Sequence, residues 1–158
     1  MPQIEKGGKY IFGWSVISED NRILIPEEAQ HKYQLTHGYR VILIPGSKTS
    51  GGFCIAKKSR LEAAKLSDIL MHSPDLTEFR IEEGKVVNIG GRSLCWTTVR
   101  DNGQLLLSST ALHAYGLRPG DHLLVVRGSY VGIGMAVKGP LVEEARNHLE
   151  LAIFHPPQ

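Results

Sequence analysis

WSVISEDNRILIPEEAQHKYQLTHGYRVILIPGS, residues 14–47, returns later in the chain as WTTVRDNGQLLLSSTALHAYGLRPGDHLLVVRGS, residues 96–129. The two stretches align without a gap. Identical residues then coincide at Trp14/Trp96, Leu24/Leu106, Ala29/Ala111, His31/His113, Tyr33/Tyr115, Leu35/Leu117, Gly38/Gly120, Gly46/Gly128 and Ser47/Ser129. After a short gap the match resumes, with Gly52–Lys58 on Gly132–Lys138. Fainter echoes set Leu61 beside Leu141, and His72, Leu76 and Phe79 beside His148, Leu151 and Phe154. Self-similarity at a fixed spacing marks a duplicated unit. The chain therefore divides into repeat one over 8–80, a hairpin or linker over 81–93, and repeat two over 94–156.

Each repeat has the same order of elements. Tyr10, Phe12, Trp14 and Val16 alternate with Ile11, Gly13, Ser15 and Ile17, which predicts a strand with one aromatic-rich face. Ser18–Asn21 is turn chemistry, and Arg22–Ile25 is a short strand. Pro26 opens a short helix to about Tyr33, with Glu27 and Glu28 at its positive end. Arg40–Ile44 and Phe53–Ala56 are further strands. Ser59-Arg60-Leu61-Glu62 reads as a capping box, predicting a second helix from about Arg60 to Met71. Between the repeats, Phe79–Ile81 and Val86–Ile89 flank a turn and read as a hairpin. Repeat two follows with strands at Leu94–Val99, Gln104–Leu107, His122–Val126 and Met135–Val137. Ser108 or Ser109 caps its first helix, and Gly139-Pro140 opens its last, to about Leu149.

Val41–Ile44 and Leu123–Val126 are apolar on both faces. A sheet with one wet face would alternate instead. Two half-barrels closing on each other explain the pattern and leave no exposed edges.

The residues that carry this reading resemble a known family. Asn21-Arg22-Ile23-Leu24-Ile25-Pro26-Glu27-Glu28-Ala29, then Tyr33–Val41, is similar to the signature of SpoVT/AbrB domains. Repeat two keeps the second part as Tyr115-Gly116-Leu117-Arg118-Pro119-Gly120-Asp121. The resemblance implies a mainly β fold: a swapped-hairpin, AbrB-type β-barrel built from two repeats in one chain, with short added helices. Two copies in one chain is the arrangement of MraZ proteins, although their Asp-x-x-x-Arg motif is absent here. It also implies a DNA-binding transcriptional regulator with double-stranded DNA as partner. A homo-oligomer is a separate expectation. The DNA-facing turns would be Ser18–Arg22 and Arg100–Gln104. Their candidate contacts are Arg22, Arg100, Asn21 and Gln104, with Ser15 and Thr97 at the position after each first-strand tryptophan.

The chain departs from the family's basic face. Ser15 and Thr97 stand at cation positions, Gln104 replaces the arginine that Arg22 keeps, and the basic pair of the short helix becomes Gln30-His31 and Leu112-His113. Phosphate neutralisation dominates DNA affinity, so these losses weaken the expectation. The alternative is a barrel that does not bind DNA and takes a protein partner or small ligand. A basic stripe on one face would favour the first reading. An apolar cleft between barrel and helices would favour the second.

Composition fits both readings. At 158 residues, 42% hydrophobic and 22% charged, the chain can bury a core and resembles a soluble globular protein. Its net charge of +2 permits nucleic-acid binding without announcing it. No apolar run approaches a membrane span, and the N-terminus has no signal-peptide core, so a cytoplasmic location is expected. Cys54 and Cys95 are then free thiols rather than a disulfide. No metal-ligand spacing, Walker loop or nucleophile elbow is present. Gly46–Gly52 is a hairpin loop rather than a phosphate cradle. No cofactor and no enzymatic activity are expected. His31 and His113, duplicated by the repeat, are expected on the helix surface or in packing.

Overall fold

A computed structural model describes residues 4–6, 9–62, 73–127 and 132–157. Repeat one supplies β1 (Ile4–Lys6), β2 (Lys9–Val16), β3 (Arg22–Leu24), α1 (Glu27–Tyr33), β4 (Arg40–Pro45), β5 (Phe53–Ala56), α2 (Lys58–Glu62) and α3 (Pro74–Thr77). Then come β6 (Val87–Ile89), β7 (Arg92–Thr98), β8 (Gln104–Leu106), α4 (Ser109–Ala114), β9 (His122–Arg127), β10 (Gly132–Ala136), α5 (Pro140–Ala145) and β11 (Ile153–Phe154). The protein is mainly β. One mixed sheet runs β1-β2-β9-β10-β5-β4-β7-β6, and β11 joins β2 in parallel.

The repeat governs the pairing. β2 pairs with β9 of the other repeat, Ser15 opposite Leu123. β7 pairs with β4, Thr97 opposite Val41, which is the same match with the repeats exchanged. β5 pairs with β10 at the centre, Cys54 opposite Gly134. β3 pairs with β8, Ile23 opposite Leu105.

The closed swapped-hairpin barrel expected from the sequence does not form. The hydrogen-bonded path is open, ending at β1 and β6, and the repeats exchange single strands rather than hairpins. The cause is local. β3 and β8 pair with each other and not with the main sheet. The outer edges of β2 and β7 are already taken, by β1 with β11 and by β6.

The two-faced apolar strands have a different explanation: both faces of the sheet are covered. On one face lie the β3–β8 ribbon, α1 and α4. Phe12, Val41, Leu43, Phe53, Cys95, Leu123 and Val125 of the sheet pack there against Ile23, Ala29, Tyr33, Leu105, Ala111 and Tyr115. The other face carries two smaller clusters. Ile42, Ile44, Ala56 and Leu94 meet Leu61 of α2 and Leu76 of α3, while Ile11, Leu124 and Val126 meet Val142 and Ala145 of α5 and Leu151. Each repeat's C-terminal arm thus covers the other repeat's first strand. Burying such side chains stabilises the fold by about 1.5–3 kcal/mol each.

Several local expectations change. A β-bulge between Ile11 and Gly13 breaks the alternation of β2. Phe12 turns to the main core while Ile11 and Trp14 turn to the arm of repeat two, so there is no single aromatic face. α2 begins at Lys58, placing Ser59 inside it rather than at its cap; the helix expected to reach Met71 runs into positions outside the described residues. Phe79–Ile81 forms no strand. The hairpin is β6–β7, turning at Gly90-Gly91. α5 ends at Ala145, short of Leu149. Ser108 does cap α4, its Oγ accepting from Ala111 N at 3.1 Å.

Cys54 and Cys95 form no disulfide. Burial pushes the Cys95 thiol up to about 11, partly offset by its contact with the Tyr115 hydroxyl. His31 and His113 are exposed on their helices. No helix among the described residues is long and apolar enough to cross a membrane.

Strand exchange makes each repeat incomplete by itself. A fragment ending at Gly90 is expected to dimerise, rebuilding the exchanged pairs, or to remain unfolded. Sedimentation of the purified fragment checks this, and a stable folded monomer would contradict it.

Candidate functional site

The β3–β8 ribbon brings the two predicted turns side by side. Arg22 lies opposite Leu106 and Gln104 opposite Leu24. Asn21, half-buried, takes a left-handed turn conformation at φ 64. Arg22 is held on two sides. Its Nε donates to Asp20 Oδ2 at 2.6 Å, and its Nη1 donates to Gln104 Oε1. Gln104 in turn donates from Nε2 to Asp101 O at 3.0 Å. The Ser18 hydroxyl, then the Arg22 guanidinium, hold the Asp20 carboxyl below its usual range.

The other predicted residues are also engaged within the fold. Ser15 is fully buried, its Oγ donating to Leu24 O at 2.7 Å. Thr97, the aligned residue, is buried with Oγ1 at 3.0 Å from Glu83 Oε2 and 3.4 Å from Leu106 O. The Glu83 carboxylate also accepts from Thr98 N at 2.8 Å and lies 3.6 Å from Arg100 Nη2. Arg100 is exposed. His37 Nδ1 sits 3.1 Å from Asp101 Oδ1. Four acids, Glu19, Asp20, Glu83 and Asp101, thus share this face with Arg22 and Arg100. The turn bearing Arg118 adjoins this face, since Gly120 N donates to Ile17 O at 2.7 Å.

Cations gather elsewhere. Arg40 lies 5.4 Å from the Phe79 ring centroid and 5.8 Å from that of Trp96. Lys57 lies 5.1 Å from the Tyr39 ring. Lys58 pairs with Glu78 at 3.2 Å. Tyr39, Arg40, Lys58 and Phe79 line a shallow depression of about 530 Å³.

A second feature is of the kind that would favour the alternative reading. Between the sheet and the arm of repeat two lies an open cleft of about 550 Å³. Trp14, Val137, Leu151 and Ile153 give it apolar walls. Leu149 stands on its rim 93% exposed, a large apolar side chain with no cover. Asp121, His122, Arg146 and His148 supply polar groups. Arg146 Nη1 donates to Glu143 Oε1 at 2.7 Å, and His148 stands between Glu144 and Glu150, 3.7 and 3.0 Å away. His122 Nδ1 is 3.1 Å from Gly120 O. A concave, mostly apolar site with a few convergent polar groups is the usual form of a small-ligand pocket. The sequence offered one signal for it. Gly13 stands where repeat two has Cys95, just before the duplicated tryptophan.

No family model and no curated protein matches the chain. Among solved structures, the solution structure of PHS018 from Pyrococcus horikoshii is similar at a TM-score of 0.37 and 11% identity, over 82% of this chain and 98% of that one. A likeness this weak carries no argument about fold or function.

The bulge that turns Trp14 toward the cleft depends on Gly13. Its φ is 134°, and an added Cβ would lie 2.7 Å from Ala152 O and 3.0 Å from Phe154 Cε2. Gly13→Ala is expected to destabilise the protein by about 1–3 kcal/mol. Denaturant unfolding of the two proteins checks this.

Proposed function

We propose that this chain is a ligand-binding protein built on a duplicated SpoVT/AbrB-like unit, with the cleft beside Trp14 as its site. The observation that carries the reading is the open cleft between sheet and α5, with Leu149 uncovered at its rim. The turn face points the same way. Arg22 and Arg100, its two arginines, each have a carboxylate partner, so little cationic surface is left there to neutralise phosphates. The test is a mixed library of small fragments screened against isotope-labelled protein by amide chemical shift. Perturbations should cluster at Trp14, Asp121–His122 and Arg146–Leu151. A library that leaves those amides unmoved would overturn the proposal.

One observation favours the second reading, a DNA-binding regulator. Arg40, Lys57 and Lys58 lie among Tyr39, Phe79 and Trp96, a basic patch interleaved with rings. If DNA is the partner, this patch is its contact face. Arg40→Ala and Lys57→Ala should each lower the salt slope of duplex binding by about one, with Arg22→Ala doing less. Titration with a duplex pool at two salt concentrations checks this. An absence of binding even at ~50 mM salt, where phosphate contacts are strongest, removes the second reading.

A further inference from the structure

The duplication contains its own comparison, because the two tryptophans occupy equivalent places and are treated differently. Both are half-buried, but Trp96 has specific partners. Its Nε1 donates to Ile81 O at 2.9 Å. The Phe79 ring meets it edge-on, with centroids 5.4 Å apart and planes at 66°. Arg40 lies over both rings. Phe79 comes from the arm of repeat one and Ile81 from the start of the linker, so this segment packs on the tryptophan of repeat two.

Trp14 has no such cover. Its indole lines the open cleft, and no described residue accepts from its Nε1. The residue echoing Phe79 in the arm of repeat two is Phe154. It does not reach Trp14. Phe154 pairs with Ser15 as part of β11, and its ring packs at the bare backbone of Gly13. The aligned positions around the indole have also lost their bulk. Asp121 stands where repeat one has Tyr39, and His122 where it has Arg40. The bulge at Gly13 and the diversion of Phe154 together leave vacant the position that a ring holds in the other half.

Resting on the ligand-binding reading above, we propose that the cleft over Trp14 is a site for a small neutral aromatic ring, of phenyl or phenol size, seated edge-on to the indole as Phe79 is to Trp96. The edge-to-face preference follows from the charge distribution of the rings, which puts a positive edge against a negative face. Val137, Leu151 and Ile153 would cover the rest of the ring. His122 and Arg146 at the mouth would meet a polar substituent.

The chain has two tryptophans, and so two indole N–H signals in an isotope-correlated spectrum. Trp14→Phe assigns them. The full-length protein is titrated with benzyl alcohol and, separately, with cyclohexylmethanol, its saturated counterpart. The expected result is a saturable shift of the Trp14 signal by benzyl alcohol, a fitted Kd several-fold weaker for cyclohexylmethanol, and an unmoved Trp96 signal. Phe79→Ala should then open the mirror site, making the Trp96 signal respond to benzyl alcohol as well; if that variant does not fold, the wild-type titration decides alone. Equal Kd values for the two alcohols would overturn the ring assignment while leaving a ligand cleft. So would a silent Trp14 signal where other fragments do perturb the cleft. Silence of the cleft toward every fragment would instead overturn the ligand reading beneath it.

Discussion

The exchange of β2 and β7 between the repeats is the constraint on which the rest depends. Each first strand is hydrogen-bonded to the other repeat's β9 or β4, so neither repeat has a complete sheet without its sister. Once those pairs form, β5 and β10 must meet at the centre, and the chain between β2 and β4 must cross one face. That crossing is the turn, β3 and α1. Its counterpart is the turn, β8 and α4. The two ribbons meet at Ile23 and Leu105 and bury the main core beneath them. Loop-closure entropy opposes such long-range pairing, and duplication within one chain lowers that cost by tethering the two halves.

The same exchange fixes the chemistry of the turn face. Because β3 and β8 are antiparallel partners, Arg22 of one repeat falls within reach of Gln104 of the other, at the aligned position. An arginine at both positions would set two like charges together. An amide at one of them turns repulsion into a hydrogen bond, and Asp20 completes the neutralisation. Arg22 is thereby engaged in joining the two repeats. Sequence alone does not show this engagement, because the partner Gln104 lies in the other repeat.

Much of the fold was legible because local rules and the duplication agree. The strands other than β1 and β11, the two short helices ahead of β4 and β9, and the cap at Ser108 follow from periodicity and turn chemistry, although the strand expected at Phe79–Ile81 does not form. What was not legible came from tertiary choices. Apolar runs on both faces, as at Val41–Ile44, mean that both faces are covered. They do not say by what, and a closed barrel and an open sheet under two arms leave the same pattern. The bulge at Gly13 was equally hidden. A glycine in an alternating strand signals a bulge only weakly, yet here it moves Trp14 and Phe12 to opposite sides of the sheet. Ser15 and Thr97 look like surface polar residues in sequence. They are buried because each hydroxyl has a carbonyl oxygen within reach, from Leu24 and from Leu106.

Duplication begins with two equal sites, and departures from equality are informative where packing alone would favour restoring them. At Trp96 the arm delivers the Phe79 ring, the carbonyl of Ile81 follows it, and Arg40 of β4 lies over the indole. At Trp14 the equivalent arm was free to do the same. It instead runs as a parallel strand along β2, sends Phe154 to the bare backbone of Gly13, and leaves Leu149 in solvent. An uncovered leucine forgoes burial worth roughly 25 cal/mol per Å² of apolar surface. Core packing gives no reason for that loss on one side only. Both indoles are half-buried, and what Trp14 lacks is the ring and the carbonyl that Trp96 has. An occupant from outside the chain, supplying the missing ring, would account for the difference between the two halves.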